Sequence, residues 1–289
     1  MANVYATVEE IKAELGQDIE RPEPDDTMIR RKAIEASRFI DGYCRRRFYP
    51  EYATYNYDHP VDSTRALILD RDLLSVSSLT TDATATTITS ANYFLKSGNS
   101  SNRTPYNCIV LDNNDSTWEY SETMTDANAV TGIWGYHNDW SNAWEHVDDV
   151  QDSPLLVGGT SLTVADADGV DKRGLKPRFQ VGQLIRFGAT ATAEYAHITE
   201  ISAETLTIVR GVNGSTAAEQ ANDIDIYVYR PQYDIMQAAL FLAMHLYRRK
   251  DSVGALTDQP IASPSGVILS ANIPREVVTV LDRYILRYP

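Results

Sequence analysis

The 289-residue sequence predicts an α+β fold, with helices toward its two ends and strands through its middle. Three observations lead there. Helical periodicity falls in residues 7–15, 26–47, 234–250 and 274–287. Residues 52–135 carry short apolar runs punctuated by Asp, Asn, Ser, Thr and Gly. Residues 145–230 then add about five strand signals in some seventy residues, a density that suits a small barrel or sandwich.

The composition is that of a folded chain, with 43% apolar residues available for a core. Met1 to Gln17 lacks a basic n-region and an apolar run, so no secretory signal is expected. No stretch approaches the roughly 20 apolar residues of a membrane span, so no membrane partner is expected and synthesis is cytoplasmic. A formal net charge of −14 repels phosphates and argues against bulk nucleic-acid binding. The two cysteines, Cys44 and Cys108, read as reduced thiols in such a compartment, with a disulfide between them left open.

Taken in order, Thr7-Val8-Glu9-Glu10 is a capping box, Ile11 and Leu15 follow, and Gly16 closes a short helix. Residues 17–25, with Pro22 and Pro24, read as a linker. From Asp26 to Arg47, Ile29, Ala33, Ala36, Ile40 and Tyr43 form one helical stripe, and Arg45-Arg46-Arg47 falls in its last turn, where cations complement the helix dipole. Strands are expected at Ala66–Leu69, around Val76, and at Tyr93–Leu95, Cys108–Leu111 and Val130–Trp134, with a loop at Ser97–Asn107. Residues 138–154, with Trp140 and Trp144, form a junction. Beyond it the strand signals are Ser161–Val164, Gln183–Phe187, Tyr195–Ile201, Thr205–Val209 and Ile224–Tyr229, and Asn213-Gly214 is a turn dipeptide. The helix from Asp234 to about Lys250 carries the small residues Ala238, Ala239 and Ala243, which favour close helix approach. A loop follows at Gly254–Gly266. The last helix starts near Pro274 and shows Val277, Leu281, Tyr284, Ile285 and Tyr288 on one apolar face.

Few residues suggest chemistry. None of the five histidines has metal-site spacing. The best convergence is His137 and His146 with Asp139, Glu145 and Asp148, which otherwise read as a solvated polar loop. Asp166, Asp168 and Asp171 match part of a calcium loop but lack its later bidentate Glu; calcium binding there stays open beside a plain turn. Gly211 to Thr216 is glycine-rich without the phosphate-binding lysine of a P-loop, and no nucleophile elbow is present. No enzyme activity and no cofactor are expected.

Two distant stretches close into one phrase. Val130–His137 reads V-T-G-I-W-G-Y-H, and Arg230 onward reads R-P-Q-Y-D-I-M-Q-A-A-L-F-L-A-M-H-L-Y-R-R-K-D-S. Together with the capped first helix, R-F-I-D-G-Y-C-R-R-R-F and L-I-L-D-R-D-L-L-S-V, this ordered set resembles the head–tail connector (adaptor) proteins of tailed bacteriophages. The resemblance covers residues 7–137 and 231–289. It implies a helical-bundle connector core with a small β part, split into residues 1–144 and 231–289, with an all-β domain inserted at 145–230. It further implies a non-enzymatic virion protein in the phage neck. Its subunits would form a twelvefold homo-oligomeric ring that binds the portal protein on one side and the tail or stopper on the other, and double-stranded DNA would pass through without sequence-specific binding. A carboxylate-lined channel would not trap phosphates, in keeping with the acidic charge.

The subunit-interface candidates are Arg38, Arg45, Arg46, Arg47, Ala239, Ala243, Arg248 and Arg249. The portal-docking candidates are Pro274, Val277, Leu281, Tyr284, Ile285, Arg287 and Tyr288, with packing of that stripe onto the subunit's own helices as the alternative. The alternative function is a neck or tail protein whose inserted β domain binds a glycan or a decorating protein, with Trp140 and Trp144 as stacking residues.

Overall fold

The computed structural model describes residues 3–17, 25–60, 65–82, 86–98, 100, 103–112, 116–174, 176–190, 193–249, 261–262, 268–269 and 273–286. Pro22 and Pro24 of the expected linker, most of the expected 254–266 loop, and Arg287 and Tyr288 lie outside these residues.

Thr7 starts α1 (Val8–Leu15) with a reciprocal cap. Its hydroxyl accepts the Glu10 N–H, while the Glu10 carboxylate accepts the Thr7 N–H. Helix α2 (Asp26–Cys44) buries Ile29, Ala33, Ala36 and Ile40. It ends three residues before the expected Arg47, because Arg45 takes the left-handed conformation at φ 54°. The basic triplet therefore forms a turn beyond the helix rather than its last turn. Helix α3 (Tyr233–Arg248) packs on α2, and the short α4 (Arg275–Leu281) packs on both. The four helices share one apolar cluster with Tyr5, Phe48 and Tyr284. No helix among the described residues is long and apolar enough to cross a membrane.

Apart from two single-turn 3₁₀ helices, Ser90–Asn92 and Trp140–Asn142, the rest of the described regular structure is β. Strands β1 (Glu51–Tyr57), β2 (Ala66–Thr81), β3 (Thr86–Thr87), β4 (Tyr93–Lys96), β5 (Tyr106–Leu111) and β6 (Asn128–Trp134) form one antiparallel sheet in the order β1-β6-β2-β5-β4, with β3 on β2. β2 has 16 residues and joins the two short strands expected at Ala66–Leu69 and Val76. It pairs with β5 over its first half and with β6 over its second, with register shifts between. Such irregularities bend a strand and increase its twist. The sheet's apolar face buries Leu67, Leu69, Leu73, Ile109, Val130 and Trp134.

A second antiparallel sheet contains β7 (Trp144–Asp149), β8 (Ser161–Thr163), β9 (Leu184–Phe187), β10 (Tyr195–Ser202), β11 (Thr205–Arg210) and β12 (Asp225–Tyr229), in the order β7-β12-β9-β10-β11-β8. Its edges approach each other where the Gln151 N–H, just past β7, donates to Thr163 O at 3.0 Å. The sheet thus curls around its own core of Phe179, Ile185, Phe187, Ile198, Leu206 and Val228. Two-residue strands β13 (Ile261–Ala262) and β14 (Ile268–Leu269) pair with each other.

The expected helical-bundle core with a small β part is thereby corrected. Among the described residues the regular structure is mostly β, with two antiparallel sheets of six strands and four short α-helices. The helical periodicities are real but brief, whereas the strands of 51–134 build a full sheet through long-range pairing, as β1 does with β6.

The second sheet enters and leaves at one place. Trp144 pairs with Tyr229, and the Arg230 N–H donates to Ala143 O at 2.8 Å. Arg230 then binds Glu145 at 2.6 Å and Asp171 at 2.9 Å. At the far contact, Tyr52 of β1 donates its N–H to Asn213 O at 2.8 Å. The next residue, Gly214, sits at φ 76°, and a Cβ there would lie 1.9 Å from Tyr52 O. Gly214→Ala should therefore destabilise the chain by about 2 kcal/mol or more, through strain and overlap. Urea unfolding measures this, and an unchanged midpoint would show that the contact is not held in solution.

The C-terminal stripe packs inward. Val277 and Leu281 are buried, and Tyr284 donates its hydroxyl to Asp234 at 2.8 Å. Truncation after Ser270 should lower stability by about 5 kcal/mol, the order expected for three buried side chains of this size. A truncated chain with the wild-type unfolding midpoint would contradict that packing.

Candidate functional site

The turn after α2 opens onto a cavity of about 380 Å³. The end of α2, the start of β1, residues 70–72 of β2 and the end of β6 form its walls, with Leu286 at its rim. Leu286 is held there by its N–H, which donates to Cys44 O at 2.8 Å. Five arginines line the cavity against four carboxylates, a local positive excess in a chain of net charge −14.

Each arginine but one is anchored. Arg46 binds Asp72 at 2.8 Å and lies over the Tyr136 ring at 4.7 Å. Arg38 binds Asp41 at 3.1 Å and Asn3 O at 2.9 Å. Arg47 pairs with Glu51. Arg71 reaches Asp70 at 3.7 Å and covers the Tyr55 ring at 4.3 Å. Arg45 is exposed and makes no ion pair or hydrogen bond among the described residues. Burial pushes the Asp72 carboxyl up to about 6, against the pull of Arg46. Burial likewise pushes Asp41 up to about 6, against the Tyr5 hydrogen bond and Arg38. Serine, cysteine and histidine are absent from the described lining. It does offer planar guanidinium donors held by aromatic faces, an arrangement suited to carboxylates and phosphates.

Of the expected interface residues, Arg38, Arg45, Arg46 and Arg47 meet in this cavity. Ala239 and Ala243 do not belong to an outer surface. Both are buried between α3 and the rest of the helical layer, where their small side chains let α2 approach. Arg248 is exposed and Arg249 half-buried at the end of α3, away from the cavity lining. Of the expected docking residues, Val277, Leu281 and Tyr284 are committed to the chain's own core, and Pro274 and Ile285 are half-buried.

The other constellations are dispersed. Asp166 accepts the Gly169 N–H and pairs with Arg178 at 3.0 Å. Asp171 is buried against Arg230 and Arg173, and Asp168 is exposed, so the three carboxylates do not share a centre. His137 Nδ1 accepts the Asp139 N–H, Glu145 binds Arg230, and Asp148 faces Arg178; the convergence weighed for these residues does not form. Trp144 is buried, stacked on Tyr195 with the Arg186 guanidinium 4.5 Å from its ring centre, which leaves little of it for a sugar. Trp140 is half-buried, edge-on to Trp144.

Sequence reasoning missed Asp41, Asp70, Arg71 and Asp72. One signal was present: the charged triplet Asp70-Arg71-Asp72 interrupts the apolar strand L-I-L-D-R-D-L-L, where a half-buried strand would alternate. No family model matches the chain, and no curated protein matches it.

The raised Asp41 carboxyl gives a signed pH effect. The folded chain holds this proton up to about pH 6, whereas the unfolded chain releases it near 3.9. Between those values the unfolded state binds fewer protons, so this group's contribution to the unfolding free energy falls as pH rises. Stability measured at pH 5 and 7 in the wild type and in Asp41→Asn should show a steeper decline toward pH 7 in the wild type. Identical slopes would exclude the shift.

Proposed function

We propose that this chain is a structural subunit of a tailed-phage neck: an adaptor ring between the portal and the tail or stopper, enclosing a channel for double-stranded DNA. The ring is twelvefold, as in the connectors that the sequence resembles, and its subunit is built mainly from two sheets with a thin helical layer. It is made in the bacterial cytoplasm and ends in the virion neck.

The observation that carries this reading is the continuity of the connector phrase. The W-G-Y-H segment and the R-P-Q-Y-D helix entry, far apart in sequence, adjoin where the Asn138 N–H, directly after His137, donates to Gln232 Oε1 at 3.3 Å. The stretch between them leaves and returns through the paired residues Trp144 and Tyr229, as an insertion at one point of the chain does. The arginine cavity supplies a contact chemistry. Its free Arg45 and anchored neighbours fit carboxylates on an adjacent acidic subunit or on the portal. The observed packing does not favour the alternative glycan reading, because Trp144 is covered.

The test is addition of purified protein to portal-bearing heads that lack a neck, read by electron microscopy. Ring density below the portal is the expected result for the wild type. Arg45→Glu should keep the wild-type unfolding midpoint, since exposed substitutions of this kind shift stability by about 0.5 kcal/mol or less, yet fail to add the ring. A wild-type chain that never associates with such heads would reject the function. A variant that assembles normally would reject the arginine contact alone.

A further inference from the structure

β7 and β12 pair Asp149 with Asp225 and His146 with Tyr227, with a register shift between these pairs. The shift matters for direction. In a regular strand, residues 146 and 149 would point to opposite faces, since side chains alternate. Opposite the step from Ile226 to Tyr227, β7 carries one additional residue, Val147, and this bulge turns His146 and Asp149 to the same side. His146 Nε2 then lies 3.0 Å from Asp149 Oδ1 and 3.7 Å from Asp225 Oδ1. One ligand atom from each of the three residues lies within 4.8 Å of the others.

The charge arrangement suits a cation. Asp149 and Asp225 are direct cross-strand partners, a placement that is destabilising for like charges. Among the described residues, no lysine or arginine forms an ion pair with either; His146 is the basic side chain paired with both, while the nearby Arg186 guanidinium lies on the Tyr227 ring at 4.8 Å. The Tyr227 hydroxyl donates to Asp225 Oδ2 at 2.8 Å, so Oδ1 is the atom turned toward His146. Such an outer hydrogen bond orients a ligating carboxylate. The His146, Asp149 and Asp225 side chains remain partly exposed, so solvent reaches the group.

We propose that His146, Asp149 and Asp225 form a binding site for a divalent transition-metal ion of the zinc type, bridging β7 and β12. One imidazole nitrogen and two carboxylate oxygens suit zinc, with water completing a tetrahedron, whereas calcium prefers six to eight oxygens. Tetrahedral zinc places its ligand atoms about 3.3 Å apart, so small side-chain rotations close the observed group around the ion. The bound ion pins edge strand β7 to its neighbour where the pairing slips, close to the point where the second sheet curls back on itself at Gln151 and Thr163.

Calorimetric titration of the full, tag-free, chelator-treated chain with zinc chloride tests the site. One ion per chain should bind, with a rise in thermal midpoint, and magnesium or calcium at the same concentration should have no effect. His146→Gln and Asp225→Asn, both at partly exposed positions, should each weaken zinc binding by about tenfold or more, the scale seen when metal-site side chains are changed. No saturable binding up to roughly 100 µM zinc would overturn the site, since ligation that weak adds little stability. Binding that both variants retain unchanged would overturn it equally.

Discussion

The structure depends on the short joint from Arg47 to Tyr52, where the helical layer and both sheets meet. Phe48 is fully buried, with its ring edge-on to Tyr5, Tyr136 and Tyr284 at 5.5–5.9 Å. Its N–H donates to the Tyr5 hydroxyl at 2.9 Å, and its carbonyl accepts the Tyr229 hydroxyl at 3.0 Å. Arg47 O accepts the Tyr136 N–H, and Pro50 O accepts the Asn213 side chain. Phe48 and Pro50 are buried, where no water satisfies the backbone, so protein partners take its place. They come from the N-terminal segment, the end of the first sheet and the second sheet. Gly135 shows how close the approach is: a Cβ there would stand 2.4 Å from Tyr49 O.

The same joint creates the arginine cavity. Because Arg45 reverses the chain, the triplet cannot continue α2 and instead faces the charged middle of β2. Burying Arg46 with Asp72 is a weak source of stability, because desolvation offsets most of the attraction. Its effect is geometric: it holds one guanidinium between a carboxylate and the Tyr136 ring, and so shapes a rigid wall beside the free Arg45. A chain with a large negative charge that holds an anchored cluster of arginines at this cavity has a surface that can discriminate among partners by charge.

Local signals were readable where the chain solves its problems locally. Thr7, Glu10 and Gly16 mark both ends of α1, and Asn213-Gly214 is a turn. The alanine stripe of α3 correctly announced close packing, but small residues do not say whose helix approaches, and the partner is α2 of the same chain. The helix end at Cys44 carried no glycine or asparagine to announce it; an arginine occupies the left-handed position. The first sheet was underestimated because its defining pairs, such as Glu51 with Trp134, join segments far apart in sequence. Half of the arginine cavity was visible as a basic run. Its carboxylates come from α2, β1 and β2, brought together by tertiary packing, and the trio on β7 and β12 depends on a bulge that no local pattern encodes.

Native-state hydrogen exchange at the joint tests this account most directly. The amides to follow are Phe48, Tyr52, Gly135 and Tyr136, whose acceptors are the Tyr5 hydroxyl, Asn213 O, Asp72 O and Arg47 O. If the joint couples the layers, these amides exchange only through the opening that also releases Val130 of the first sheet and Ile185 of the second. If they exchange orders of magnitude faster while both sheets stay protected, the layers are held by something other than this turn, and the account is wrong.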